Sequence, residues 1–292
     1  MRERSLDEFE SIFERASIPV LDIEETALTR ISVVLAGSPL DASILALAAD
    51  LKKRFGSEVR VHRPDGVDLS EARTTAGAHG FAISDETYAS TADLVRHVQG
   101  SDAHLVLLTE SEGADALSPE LDLDALVEDT DPPVLVVRRE LENPSAVFTR
   151  ILHSLTGNFQ QTQNFTHSFT LVTDNGELLL LHVISDDQVD DVRETLQVSP
   201  EIADRTGGRL LANLAHHGER YLKAVVAASR EEPFEVRYRL AVGDVVSTVR
   251  RELASGRYSL LVVGCHQEGR SEVSASDYRL MHQVRDVPVL AL

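Results

Sequence analysis

The chain has 292 residues, 42% of them apolar, and a formal net charge of −20. That length suits two domains of ordinary size, each with its own core. So acidic a chain repels nucleic-acid phosphates and anionic lipid headgroups, which are held by clustered Lys and Arg. It has no run of about 18 apolar residues to cross a bilayer. The segment "MRERSLDEFESIFERAS" lacks the apolar centre of a signal peptide. The single cysteine, Cys265, excludes an internal disulfide framework. The expectation is a cytoplasmic protein without nucleic-acid partners and without membrane insertion.

In chain order, "LDEFESIFERASI" sets Leu6, Phe9 and Phe13 on one helix face, so residues 1–27 form a helical extension that packs on a neighbouring unit or docks to a partner. "ISVVLAG" is a continuous apolar run suited to a strand buried on both faces. The next segment, "SPLDASILALAADLKKRFG", spaces Leu40, Ile44, Leu47 and Leu51 as a helix, with Pro39 near its first turn and Gly56 beyond its end. Strands are predicted at "EVRVH", "GFAI", "HLVLLT" and "PVLVV", with "TADLVRHVQG" a helix before the third of these. The short connection "RPDGVDLSEARTTAGAH" holds a helix of about two turns. Further on, "ILHSL", "ELLLLHVI", "FEVRYRLAV", "SLLVVG" and "PVLAL" read as strands. Between them, "LLANLAHHGERYLKAVVAASREE" places Leu210, Leu214, Tyr221 and Val225 on one helix face. Strands alternating with helices imply right-handed crossovers and parallel sheets covered on both sides.

The two series repeat. "TRISVVLAGS" from Thr29 answers "TRILHSLTGN" from Thr149, an offset of 120 positions. "HLVLLTESEG" answers "SLLVVGCHQEG", and "DPPVLVV" answers "DVPVLAL", both displaced by about 155. Matches in one order point to duplication of an α/β unit. Two five-stranded units, each opening on a strand followed by "GS" or "GN" and closing on "PVLVV" or "PVLAL", resemble the universal stress protein family in its tandem form. The resemblance spans 28–140 and 145–292. It implies two Rossmann-like domains of the adenine nucleotide alpha hydrolase type, each a five-stranded doubly wound parallel sheet. It also implies docking through the final strands as a pseudo-dimer, with nucleotide, where bound, at the carboxyl ends of strands one and four, as in other open α/β sheets.

In ATP-binding members an Asp ends strand one, and Gly-x2-Gly-x9-Gly-Ser/Thr follows strand four and cradles the phosphates. Against that pattern, the first unit carries Ala36 at the Asp position, Thr109 at the first glycine, and Glu120 and Leu121 at the Gly-Ser. Glu110, Glu112, Asp115, Glu120, Asp122 and Asp124 would face a triphosphate's charge. No ATP is expected there. The second unit carries Thr156 for the Asp, Val183 beside the base, Gly264 retained, Gln267 for the second glycine, and Ala275 and Ser276 at the Gly-Ser. His266 and Arg270 lie in the same loop. Thr156, Val183, Gly264, His266, Arg270 and Ser276 therefore form a residual nucleotide site. Each charge-assisted hydrogen bond lost from such a cradle costs roughly 1.5–3 kcal/mol, so affinity should fall to about millimolar or weaker.

Other constellations have plain readings. Cys265 at a strand end is a small buried hydrophobe or an oxidant sensor. Adjacent His216 and His217 diverge by about 100° on a helix and do not chelate one metal together. Asp186, Asp187, Asp190 and Asp191 suit a helix N-terminus better than a metal site. No Ser-His-Asp or paired-carboxylate arrangement stands out. The expected function is a non-catalytic stress-response protein without bound cofactor or metal, acting through a protein partner or self-association, possible homodimer included. The alternative is an adenine-nucleotide switch using the second unit, with ATP bound and slowly hydrolysed.

Overall fold

The apolar runs become the inner strands of one sheet. A computed structural model describes residues 26–110, 121–155, 163–185, 200–264 and 275–292. The extension with Leu6, Phe9 and Phe13 lies outside them. The first half contains β1 (Arg30–Val34), α1 (Asp41–Phe55), β2 (Glu58–Pro64), α2 (Ser70–Ala78), β3 (Ile83–Tyr88), α3 (Thr91–Gly100), β4 (Leu105–Thr109), α4 (Leu123–Asp129) and β5 (Val134–Val137). A 3-10 turn, Pro144–Ala146, leads to the second half. That half contains β6 (Arg150–Leu155), α5 (Gln163–Leu171), β7 (Glu177–Ile184), α6 (Pro200–Ala228), β8 (Glu235–Val242), α7 (Val245–Gly256), β9 (Leu260–Val263), α8 (Ala275–Gln283) and β10 (Val289–Ala291).

The strand order is β3-β2-β1-β4-β5-β10-β9-β6-β7-β8. Within each half every pairing is parallel. The order reverses beside β1 and beside β6, which makes each half a doubly wound sheet with its own switch point. Between the halves, β5 and β10 run antiparallel, Val136 facing Val289 and Leu135 facing Leu290. The final strands alone join the two sheets into one.

Burial on both faces explains the unbroken apolar runs of β4, β5 and β9, whose residues are all buried. One face is covered by α1, α2, α5 and α6, through residues such as Ile44, Leu51, Ala76, Phe165, Phe169 and Leu222. The other is covered by α3, α4, α7 and α8, through Leu94, Leu126, Val249, Leu280 and Met281. Each core continues across the β5–β10 boundary.

The third strand differs from its prediction. Only Ile83 of "GFAI" belongs to the strand, which is Ile83–Tyr88, "ISDETY". Phe81 is buried in the turn after α2, its N–H donating to the Ala76 carbonyl at 2.8 Å. At the sheet's edge, β3 does not need an apolar sequence. The long middle helix also starts earlier than its apolar stripe, at Pro200.

Side chains reinforce the junction. Arg54, in the last turn of α1, donates to the carbonyls of Thr170, Leu171 and Val172, which close α5 in the other half. Ser145 Oγ donates to Asp50 at 2.9 Å. The imidazole Nε2 of His282 on α8 lies 2.7 Å from Asp124 on α4. Arg138 donates to Glu110 at 2.6 Å and to the Val284 carbonyl at 3.2 Å. Its side chain is only 2% exposed, and burial lowers its pKa, opposed by Glu110. Removing one member of such a pair strands the other charge. Glu110→Ala should therefore cost about 3 kcal/mol, whereas the double replacement Glu110→Leu with Arg138→Met should be close to neutral. Urea unfolding of the two variants checks this; equal losses would contradict it.

Candidate nucleotide crevices at the strand ends

Each half presents the carboxyl ends of its first and fourth strands at the switch point, the usual ligand position in open α/β sheets. In the first half, β1 runs through Leu35 and Ala36 into Gly37, whose φ of +71° is the left-handed conformation that glycine tolerates. A Cβ there would lie 2.4 Å from Val67 Cγ1, so glycine is required by close packing as well. The chain then turns into α1, and the Asp41 carboxylate folds back over the turn. It accepts hydrogen bonds from the N–H of Ala36 at 3.0 Å and of Gly37 at 2.9 Å. The Thr109 hydroxyl, at the end of β4, donates to the same carboxylate at 3.2 Å.

Asp41 is 3% exposed. Burial raises its pKa, while the hydrogen bonds from Ala36, Gly37, Thr109 and Ser38 act the other way. Successive amides at a helix N-terminus make an anion nest. Here the nest is filled by the chain's own carboxylate, at the point where strands one and four diverge.

Three of the acidic residues expected to face a bound triphosphate are committed elsewhere. Glu110 pairs with Arg138. Asp122 caps α4, accepting from the N–H of Asp124 and Ala125 at 3.1 Å each. Asp124 meets His282. Carboxylates near a loop find local N–H groups and cations sooner than they remain unpaired. Glu112, Asp115 and Glu120 lie outside the described residues. Ala36 is buried at the end of the β1 segment, without a side-chain acceptor, and Thr109 is buried against Asp41.

In the second half, Thr156, Cys265, His266, Gln267 and Arg270 lie outside the described residues, as do Asp186, Asp187, Asp190 and Asp191. Gly264 directly follows β9 and is half-buried, and Ser276 is the second residue of α8, also half-buried. Val183 is 1% exposed, packed in the core shared by α7 and α8. These three therefore sit at the end of β9, at the start of α8 and within β7. His216 and His217 lie on α6, the first exposed and the second half-buried.

The sequence reading missed several polar groups at this end. Ser154, next to last in β6, is 1% exposed, and its hydroxyl has no hydrogen-bond partner among the described residues. His182 Nδ1 lies 3.1 Å from the Leu155 carbonyl, to which it donates; burial pushes its pKa down to about 4. His153 Nδ1 lies 2.9 Å from Ser168 Oγ on α5, and burial pushes it down to about 3, with a smaller contribution from His167. Both imidazoles are neutral at physiological pH. Their signal was a polar residue inside an apolar strand, "ILHSL" and "ELLLLHVI", but strand periodicity does not say what a buried histidine meets.

The chain matches no family model and no curated protein. Solved structures do match. A universal stress protein from Archaeoglobus fulgidus DSM 4304 superposes with a TM-score of 0.58 at 15% identity, over 90% of this chain and 95% of that one. The fold is that of the universal stress proteins. A functionally unknown protein from Pseudomonas aeruginosa PAO1 gives 0.57 at 14% identity, over 91% and 92% of the two chains. A Pseudomonas aeruginosa UCBPP-PA14 protein provisionally named as a universal stress protein gives 0.56 at 14%, over 91% and 93%. The universal stress protein fold thus extends over about nine tenths of this chain, 90% or 91% in each superposition. At these identities the likeness concerns the fold. No helix among the described residues is long and apolar enough to cross a membrane.

Proposed function

We propose that this chain is a tandem universal stress protein with degenerate ATP sites, a cytoplasmic regulator that acts without catalysis through contacts with a protein partner or with itself. The observation that carries this reading is the Asp41 carboxylate on the Ala36 and Gly37 amides. A phosphate would need those donors and would meet a negative charge already seated on them. The missing acceptor at Ala36 removes a second contact for a nucleoside. Support for a role through contacts comes from the junction, where β5 pairs with β10 and both cores run on from one half into the other.

A second reading is an adenine-nucleotide switch in the second half. The buried Ser154 hydroxyl near the end of β6, which has no partner among the described residues, favours it, together with Gly264 after β9.

Calorimetric titration with Mg-ATP, with an assay for co-purified nucleotide, separates the two. The first reading expects no saturable heat up to about 1 mM ATP and no bound nucleotide. Saturation at about micromolar concentration with a single site would overturn it in favour of the switch. Binding that survives Gly264→Val would place the nucleotide away from the loop after β9.

A further inference from the structure

The seam between β2 and α3 holds a polar chain that the nucleotide crevices do not use. His62, in β2, is 1% exposed. Its Nε2 lies 3.2 Å from Ser32 Oγ on β1. Ser32 Oγ lies 3.0 Å from Ser101 Oγ, and Ser101 in turn donates to the Val98 carbonyl at 2.6 Å. The hydrogens can be ordered only one way. Because Ser101 spends its hydrogen on Val98, Ser32 donates to Ser101 and His62 donates to Ser32 through Nε2–H. The Nδ1 of His62 is then a bare lone pair, buried and without a partner among the described residues.

Facing it from α3 is His97, its ring 6.1 Å away and inclined by 19°. Its Nδ1 is likewise buried and without a partner. The charged groups acting on His62 are His97 on α3 and Arg60 on its own strand, both of the cationic kind. From β3, Tyr88 turns its hydroxyl to the Leu35 carbonyl. On α3, Asp93 is paired with Arg96, one turn before His97. No carboxylate among the described residues meets the His62 ring. A proton added at Nδ1 has no acceptor among the described residues and lies near Arg60, unlike His182, whose Nδ1–H has a carbonyl.

We propose that the His62–His97 seam is an acid-sensitive catch: protonation of His62 against the His97 ring releases α3 from the sheet and uncovers the apolar stripe Leu94, Val95 and Val98. The stripe packs on the same core as Val34, Val106 and Leu108, so the released state exposes apolar surface on both sides of the seam. Burial lowers the His62 pKa to about 4. The catch therefore holds fully above the unfolded value of about 6.5 and weakens as pH falls towards 4.

Segment-resolved hydrogen exchange at pH 7.5 and pH 5, corrected for intrinsic rates, tests this on the full chain. The α3 amides should exchange about tenfold faster or more at pH 5. His62→Gln keeps a donor towards Ser32 and cannot titrate, so its α3 protection should be flat with pH. If that variant fails to fold, the half-buried His97→Gln should still lessen the effect. Two results would overturn the proposal: α3 protection unaffected by pH, or an unchanged pH response in the variants.

Discussion

Lowering the pH from 7 to 5 should remove about 2 kcal/mol of stability for each of the three deeply buried histidines, roughly 6 kcal/mol together. They are His62, His153 and His182, with pKa values pushed to about 4, 3 and 4, mainly by burial. In the unfolded chain each titrates near 6.5. The folded state therefore binds fewer protons over the whole interval, and stability falls as the pH falls. The contribution is complete above 6.5 and lost on approach to the folded values. Relief of repulsion among the 48 acidic residues comes mostly below this window, where ordinary carboxylates titrate. Urea unfolding at pH 7, 6 and 5 should give a steadily falling midpoint. A flat or rising profile would mean that these imidazoles gain protonated partners absent from the described residues.

Replacing Asp41 by alanine should cost about 3 kcal/mol. The substitution leaves the N–H groups of Ala36 and Gly37 and the Thr109 hydroxyl without their acceptor in a buried place. The charge itself is not free, because burial raises the carboxyl pKa. Asp41→Asn retains the shape and one acceptor oxygen, so its loss should be about half as large. If the carboxylate stands where an anion would sit, inorganic phosphate should restore more stability to Asp41→Ala than it adds to the wild-type chain. Thermal unfolding in chloride and in phosphate makes the comparison, and the wild type controls for the general salting effect. Equal gains would make Asp41 a helix-end acceptor and nothing more.

These results bear on how the two halves relate. Similar sheets, with the same order about the switch point, treat their crevices differently. The first closes on its own carboxylate. The second keeps Ser154 and Gly264 at its strand ends. Titration of ATP against wild type and Asp41→Asn would show whether the carboxylate in the first crevice affects nucleotide binding.

The inner strands were legible in the sequence for a simple reason. A parallel strand covered on both faces has to be apolar throughout, so "HLVLLT", "PVLVV" and "SLLVVG" carried their own assignment. The repeated order of those runs carried the two-unit fold class. The edge strand did not announce itself, because an edge does not require an apolar sequence, and Phe81 drew the prediction into the preceding turn. Loop acidity was misjudged in the same way. Glu110, Asp122 and Asp124 read as a negative wall, but composition does not show that Arg138, two backbone amides and His282 lie within hydrogen-bond reach.

The chain's own order of apolar runs and turns thus determined the architecture, because burial of a parallel sheet is a local demand repeated at every residue. The long-range juxtapositions were decided by tertiary structure alone. Asp41 meets Thr109 across 68 positions, His62 meets Ser32 across 30, and Arg54 reaches the end of α5 across 116 to 118. Hydrogen bonding depends on distance and direction to within a few tenths of an ångström, and no spacing along the chain encodes that. Whether a carboxylate at a helix start greets a ligand or takes its place is settled only when the strands are laid side by side.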